Sequence, residues 1–149
     1  MPKSSSSFLF PDVNVWLALS YERHKHYAAA RAWFERLEDD ARACFCRLTQ
    51  ISLLRLLTTG AVMGENEVLS QVGAWRVYDR WLEDDRVLFL EEPPSMEVRF
   101  RAFSHQQRAA PKDWSDSYLC AFAEAAGLRL VTFDRALSTK SGDLLLLNP

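Results

Sequence analysis

Cysteine is scarce in this chain: Cys44, Cys46 and Cys120 are the whole supply. An odd number, with no C-x-x-C spacing and no second Cys or His pair at finger distance, excludes a disulfide scaffold and a zinc finger. The three read as small apolar side chains in a core. Five glycines and six prolines in 149 residues are too few for a collagen-like or linker-rich chain. Long apolar runs are missing as well. Nothing approaches the roughly 20 residues that cross a bilayer, and the run after MPKSSSS is broken by Pro11 and Asp12 before a signal-peptide core forms. The expectation is a cytoplasmic protein without a membrane span. An excess of either charge is absent too: Lys plus Arg number 18 against 20 Asp plus Glu, a formal net charge of -2. That excludes a nucleic-acid footprint spread over the whole surface, so any such contact is local.

What is present is the material of a folded domain, 48% hydrophobic and 26% charged. A chain of this size buries about 68–70% of its unfolded surface, enough for a core without staples. Residues 1–149 are expected to form one domain, with 1–6 a flexible tail. Strands are expected at Ser7–Phe10, Ala41–Cys46, Val87–Leu90, Leu128–Phe133 and Leu144–Leu147, each short and apolar. Helical spacing lies between them. It marks a short helix from Val15 to Leu19, then Tyr27–Leu37, a helix from Gln50 to Leu57 with Thr49 as N-cap, Val68–Glu83, Met96–Gln107 and Trp114–Ala126 closed by Gly127. Gly60–Glu67 reads as a loop. In the fourth helix Trp75, Tyr78 and Trp81 recur every three residues, the spacing of a core or dimer face rather than of a base-stacking platform. Strands alternating with helices, without hairpin turns, predict an α/β protein: a three-layer α/β/α sandwich around a central parallel sheet of four to five strands.

In such sheets function gathers at the carboxyl ends of the strands. Asp12 follows the first strand, Asp134 follows the fourth, and Asp116 lies in the first turn of the helix before the fourth. Each has a plainer reading: Asp116 and Asp134 suit helix caps or an Asx turn. Asp12 is harder to dismiss, because an acid that interrupts an apolar run is costly without a partner. Convergent carboxylates repel unless a cation lies between them. Oxygen donors with no His or Cys beside them favour magnesium or manganese. Metal-assisted phosphodiester hydrolysis is the chemistry such a cluster serves.

With these residues placed, the chain resembles the PIN-domain ribonucleases, in particular the VapC toxins of toxin–antitoxin pairs. The resemblance is carried by Phe10–Leu19 (FPDVNVWLAL), Trp33-Phe34, Arg47–Thr58 (RLTQISLLRLLT), Trp114–Ala123 (WSDSYLCAFA), Gly127–Asp134 (GLRLVTFD) and the terminal Leu147–Pro149 (LNP). These pieces follow the family's order over nearly the whole chain. The resemblance implies an endoribonuclease that uses magnesium or manganese, forms a homodimer and is inhibited by a small VapB-like antitoxin. It places Asp12, Asp116 and Asp134 at the metal-site acids and gives Asn14 and Thr132 supporting roles. One position departs from the pattern. Many members carry Glu three residues after a Thr like Thr49, and here that position is Ser52. A second metal ion is therefore in question, with Ser52, Gln50 or a water left to orient solvent.

Arg47, Arg55, Lys112, Arg135 and Lys140 are the cations able to meet phosphates, with Arg55, one helical turn beyond Ser52, the most suggestive. Arg55, Lys112 and Arg135 are taken as substrate-binding candidates. His24 and His26 (ERHKH) read as a solvated or RNA-facing loop, near the acids in sequence only. Two other classes compete. A phosphoaspartyl transferase needs a second acid where Asn14 stands and a Lys after a later strand, and a receiver domain fails on the same groups. A PIN-like module that binds RNA or protein without cleaving is kept open by Ser52.

Overall fold

The computed structural model describes residues 7–148, so the expected tail and the final Pro149 lie outside the described residues. Within them, five strands pair in parallel: β1 (Phe8–Pro11), β2 (Arg42–Phe45), β3 (Val87–Phe89), β4 (Arg129–Thr132) and β5 (Leu144–Leu146). Their order is β3-β2-β1-β4-β5. Parallel neighbours need long crossovers. Here these are built from α1 (Val13–Ser20), α2 (Tyr27–Glu35), α3 (Arg47–Leu57), α4 (Gly60–Met63), α5 (Gln71–Glu83), α6 (Met96–Phe103), α7 (Asp113–Ala126) and α8 (Arg135–Ser138).

Alternation along each strand splits the core in two. Leu9, Ala43, Phe45 and Val131 face α1, α2, α3 and α5, while Phe10, Cys44 and Leu130 face α7. Because both faces are covered, the strands are apolar throughout rather than alternating with polar residues. This is the expected three-layer α/β/α arrangement, with five strands. The cysteines are core thiols: all three are free and buried, and burial pushes Cys44 up to about 12.

Helix boundaries depart from expectation where side chains do capping work from unexpected positions. Asp12 itself caps α1, which therefore starts at Val13 rather than Val15. Helix α3 starts at Arg47, so Thr49 is not its N-cap but lies inside the first turn. From there its hydroxyl accepts from the Cys46 N–H at 3.0 Å and donates to the Cys46 carbonyl at 3.1 Å. Helix α5 begins only at Gln71, because the Ser70 hydroxyl accepts from the Gly73 N–H at 3.0 Å. Val68 and Leu69 pack against the core from the preceding loop, which itself holds the one-turn α4. Helix α6 ends at Phe103, short of Gln107, and residues 104–112 form a loop. Gly127 closes α7 as expected, at φ 69, the left-handed region where glycine carries no Cβ penalty. The aromatic spacing of α5 is only partly a core face: Tyr78 is buried, and the Trp81 indole N–H donates to the Ser20 hydroxyl at 2.8 Å, but Trp75 is 46% exposed. No helix among the described residues is long and apolar enough to cross a membrane.

Candidate metal and phosphodiester site

Strands β1 and β4 are neighbours in space, yet the chain leaves β1 toward β2 on one side and reaches β4 on the other. Their carboxyl ends therefore flank the point where the strand order reverses, the usual crevice of an open α/β sheet. Pairing also stops unevenly there. Strand β1 pairs with β2 only through Leu9 but continues against β4 through Pro11 and Val131. The Asp12 N–H extends that ladder by donating to the Val131 carbonyl at 2.8 Å.

Thr132 organises the crevice. It is fully buried at the end of β4, and its hydroxyl donates to Asp12 Oδ2 at 3.0 Å. The same oxygen accepts from Asn14 Nδ2 at 3.3 Å and from the Asp134 N–H at 3.0 Å, one donation and two acceptances that use the hydroxyl in full. Asn14 completes the clasp by accepting from the Phe133 N–H at 3.4 Å. Asp12 Oδ1 accepts from the Val13 N–H at 2.7 Å, and Asp134 Oδ1 caps α8 by accepting from the Ala136 N–H at 2.9 Å. Asn14 and Thr132 thus meet across 118 residues of sequence.

Asp116 joins this group through its field. Burial holds its carboxyl above the ordinary aspartate range, and Asp12, Asp134 and Asp113 add repulsion that Lys140 partly offsets. Asp12 is likewise raised, first by burial and last by Asp134, against the hydrogen bonds from Thr132 and Val13. Mutual repulsion of this kind is what a cation relieves. The donors are all carboxylate oxygens, a set suited to a hard divalent ion. Among the described residues no three acids, histidines or cysteines already stand at ligand spacing, so the acids share a field without converging on a point.

Sequence reasoning missed Asp113. It accepts from the Ser117 hydroxyl at 2.7 Å and pairs with Lys140 at 3.0 Å, and these contacts hold it below the ordinary range. The Asp113–Ser117 spacing was available as an i,i+4 signal; the Lys140 pair, 27 residues distant in sequence, had none. Of the basic candidates, Lys112 and Arg135 are exposed at the starts of α7 and α8. Arg55 does not point the same way: it lines the groove between α3 and α5 with Ile51, Gln71 and Trp75. Arg47 is engaged, donating to Gln50 Oε1 at 2.7 Å and lying over the Phe89 ring at 4.7 Å. That contact takes the Gln50 amide oxygen away from the role of the missing Glu. Ser52 is half-buried on α3, with no side-chain hydrogen bond among the described residues. The histidine loop is nearer than sequence implied. His26 stacks on Phe133, between Thr132 and Asp134, with ring centroids 4.5 Å apart.

A test of the clasp is Thr132→Val, which keeps the shape and removes the hydroxyl. It strands the Asp134 N–H and strips Asp12 of a bond that favours its charged form. The expected cost is about 1–3 kcal/mol, read as a lower midpoint in urea; an unchanged midpoint contradicts the clasp.

Known proteins resemble this chain over most of its length. The PIN domain family model matches residues 9–142. The chain is 43% identical over 137 residues to Ribonuclease VapC41 of Mycobacterium tuberculosis, covering 90% of this chain and 94% of that one. It is 30% identical over 134 residues to Ribonuclease VapC39 of the same species, covering 85% and 88%. Among solved structures, Mycobacterium tuberculosis VapC20, described as a Sarcin-Ricin loop cleaving toxin, superposes with a TM-score of 0.63 at 15% identity over 88% of this chain and 93% of its own. VapBC2 from Rickettsia felis, solved bound to a DNA fragment from its promoter, superposes at 0.65 with 11% identity over 95% and 99%. At those identities the structures speak for the fold, and the sequence matches for descent. The chain belongs to the PIN-domain family, within its VapC group.

Proposed function

We propose that this protein is a magnesium- or manganese-dependent endoribonuclease, the toxin of a toxin–antitoxin pair. The observation that carries the reading is the mutual field of Asp12, Asp116 and Asp134 at the reversal point of the sheet. Relatives named as ribonucleases support it. Asp12, Asp116 and Asp134 would hold the cation through carboxylate oxygens. When bound, such a cation supplies positive charge against a phosphodiester and makes water a stronger acid.

The chain's own residues do the rest. The Thr132 hydroxyl and the Val13 N–H fix the two oxygens of Asp12. Asn14 ties the turn after β4 to α1. Lys140 moderates the acidic field beside Asp116, and exposed Lys112 and Arg135 offer the local positive charge that lets a polyanion approach. A homodimer and a VapB-like antitoxin complete the proposal. The exposed apolar strip of Ile51, Val72 and Trp75 is suited to a protein contact of that kind. A second reading, an RNA-binding module without turnover, is favoured by Ser52 standing where the family resemblance implies Glu.

Induced expression in a bacterial host separates the two. The enzyme reading predicts growth arrest that is absent with Asp116→Ala and relieved by co-expressing a VapB-like antitoxin. Equal arrest by wild type and Asp116→Ala removes catalysis from the account.

A further inference from the structure

Trp114 is 55% exposed in the first turn of α7, between Asp113 and Asp116. It lies in the wall of two clefts. The larger, about 420 Å³, also contains Glu97, Phe100, Arg101 and His105; the smaller, about 50 Å³, contains Gln106, Arg108 and Asp113. The larger falls within the range of small-ligand sites, about 300–1,000 Å³. From Val98 to Lys112 the chain carries Arg99, Arg101, Arg108 and Lys112 and no acid, in a protein of net charge -2. Arg99 pairs with Glu124 at 3.3 Å, which leaves Arg101, Arg108 and Lys112 as the local positive charge beside Trp114.

The indole is held in place. Phe100 meets it edge-on with centroids 6.2 Å apart, and Phe100 in turn meets Tyr118 at 5.7 Å. Both ends of the loop 104–112 are tied to the first turns of α7. The Lys140 ammonium, itself paired with Asp113 at 3.0 Å, donates to the Phe103 carbonyl at 3.0 Å, and the Asp113 N–H donates to the Ala110 carbonyl at 3.0 Å. The Glu97–Arg101 pair is 2.8 Å long but 75% and 78% exposed, so its attraction is weak and Arg101 is open to exchange partners.

We propose that Trp114 is a stacking platform for an unpaired RNA base, with Arg101, Arg108 and Lys112 meeting the neighbouring phosphates. The proposal rests on the ribonuclease reading. A flat aromatic face amid cations fits a base and its phosphates, since every base has a π-face and stacking tolerates sequence. An apolar protein partner would leave those cations unpaired.

The test is binding of a fluorescein-labelled unstructured oligoribonucleotide to the full chain in EDTA, followed by anisotropy, with an RNA duplex as control. Trp114→Ala and Trp114→Leu are expected to weaken single-strand binding about tenfold with the melting temperature unchanged, while Trp114→Phe stays close to wild type and duplex binding does not move. Two variants guard against misfolding of either. Unchanged single-strand affinity in both, or no single-strand binding by wild type, overturns the proposal. So does loss of antitoxin binding alone, which would mark a protein-docking face. Cleavage in magnesium distinguishes the two readings. Cutting that is indifferent to Trp114 removes the platform and leaves the ribonuclease; Trp114-dependent binding without cutting removes the ribonuclease and leaves the platform.

Discussion

Asp116→Asn protein is expected to melt higher than wild type in EDTA and to cut no RNA in magnesium. Asp116 is a carboxyl raised by burial and then by the charges of Asp12, Asp134 and Asp113. An acid whose folded pKa lies above its unfolded value adds nothing below the unfolded pKa, destabilises increasingly as pH rises from there to the folded one, and carries the full penalty above it. At neutral pH the amide removes that penalty while keeping the shape. The gain is about 0.5–2 kcal/mol, toward the low end because the group is only half-buried and solvent screens it. The same change removes a charged oxygen donor, and loss of one electrostatic element of this kind lowers a rate by about 10²–10³ or more. A purely capping Asp116 predicts the reverse pattern, lower stability and unaltered activity. Melting curves in EDTA beside a cleavage time course decide between them.

Trp16→Ala is expected to cost about 3–5 kcal/mol. Trp16 is fully buried on α1, stacked on Phe45 with centroids 3.9 Å apart and meeting Trp81 edge-on at 5.5 Å. Phe45 also meets Tyr78 at 5.0 Å, so truncation opens a void where β2, α1 and α5 join. In a chain of this length each kcal/mol shifts the melting temperature by about 2–4 °C, which predicts a fall of about 10 °C. Among the described residues the indole Nε1 is buried without a partner. Trp16→Phe therefore removes an unsatisfied donor along with some volume and costs less, about 1.5 kcal/mol or below. Because α1 also carries Asn14 and begins at the Asp12 cap, the Ala variant loosens the crevice, whereas the Phe variant keeps its activity. Equal melting temperatures for Ala and Phe would contradict this packing account.

The parallel sheet was legible because its strands are short apolar runs between segments of helical period, a pattern set by burial on both faces. The carboxylates Asp12 and Asp134 were legible for a related reason: a strand that ends in an acid announces a loop at the sheet's carboxyl edge. Start sites of α3 and α5 were not, since Thr49 and Ser70 are equally good hydroxyls and only geometry tells which one caps and which one bonds back from inside the turn. The direction of Arg55 was illegible as well. Spacing from Ser52 puts it on a helix face, but the position of α5 turns that face into a groove with Trp75. His26 on Phe133 and Lys140 on Asp113 are long-range contacts, and no local pattern in a single sequence encodes them.

The most direct measurement is cleavage of total RNA by the purified, antitoxin-free protein in magnesium or manganese, beside the same reaction in EDTA and beside Asp116→Ala. The account predicts discrete cutting with either metal and none in either control. Cutting that persists in EDTA, or that Asp116→Ala performs at the wild-type rate, would contradict it.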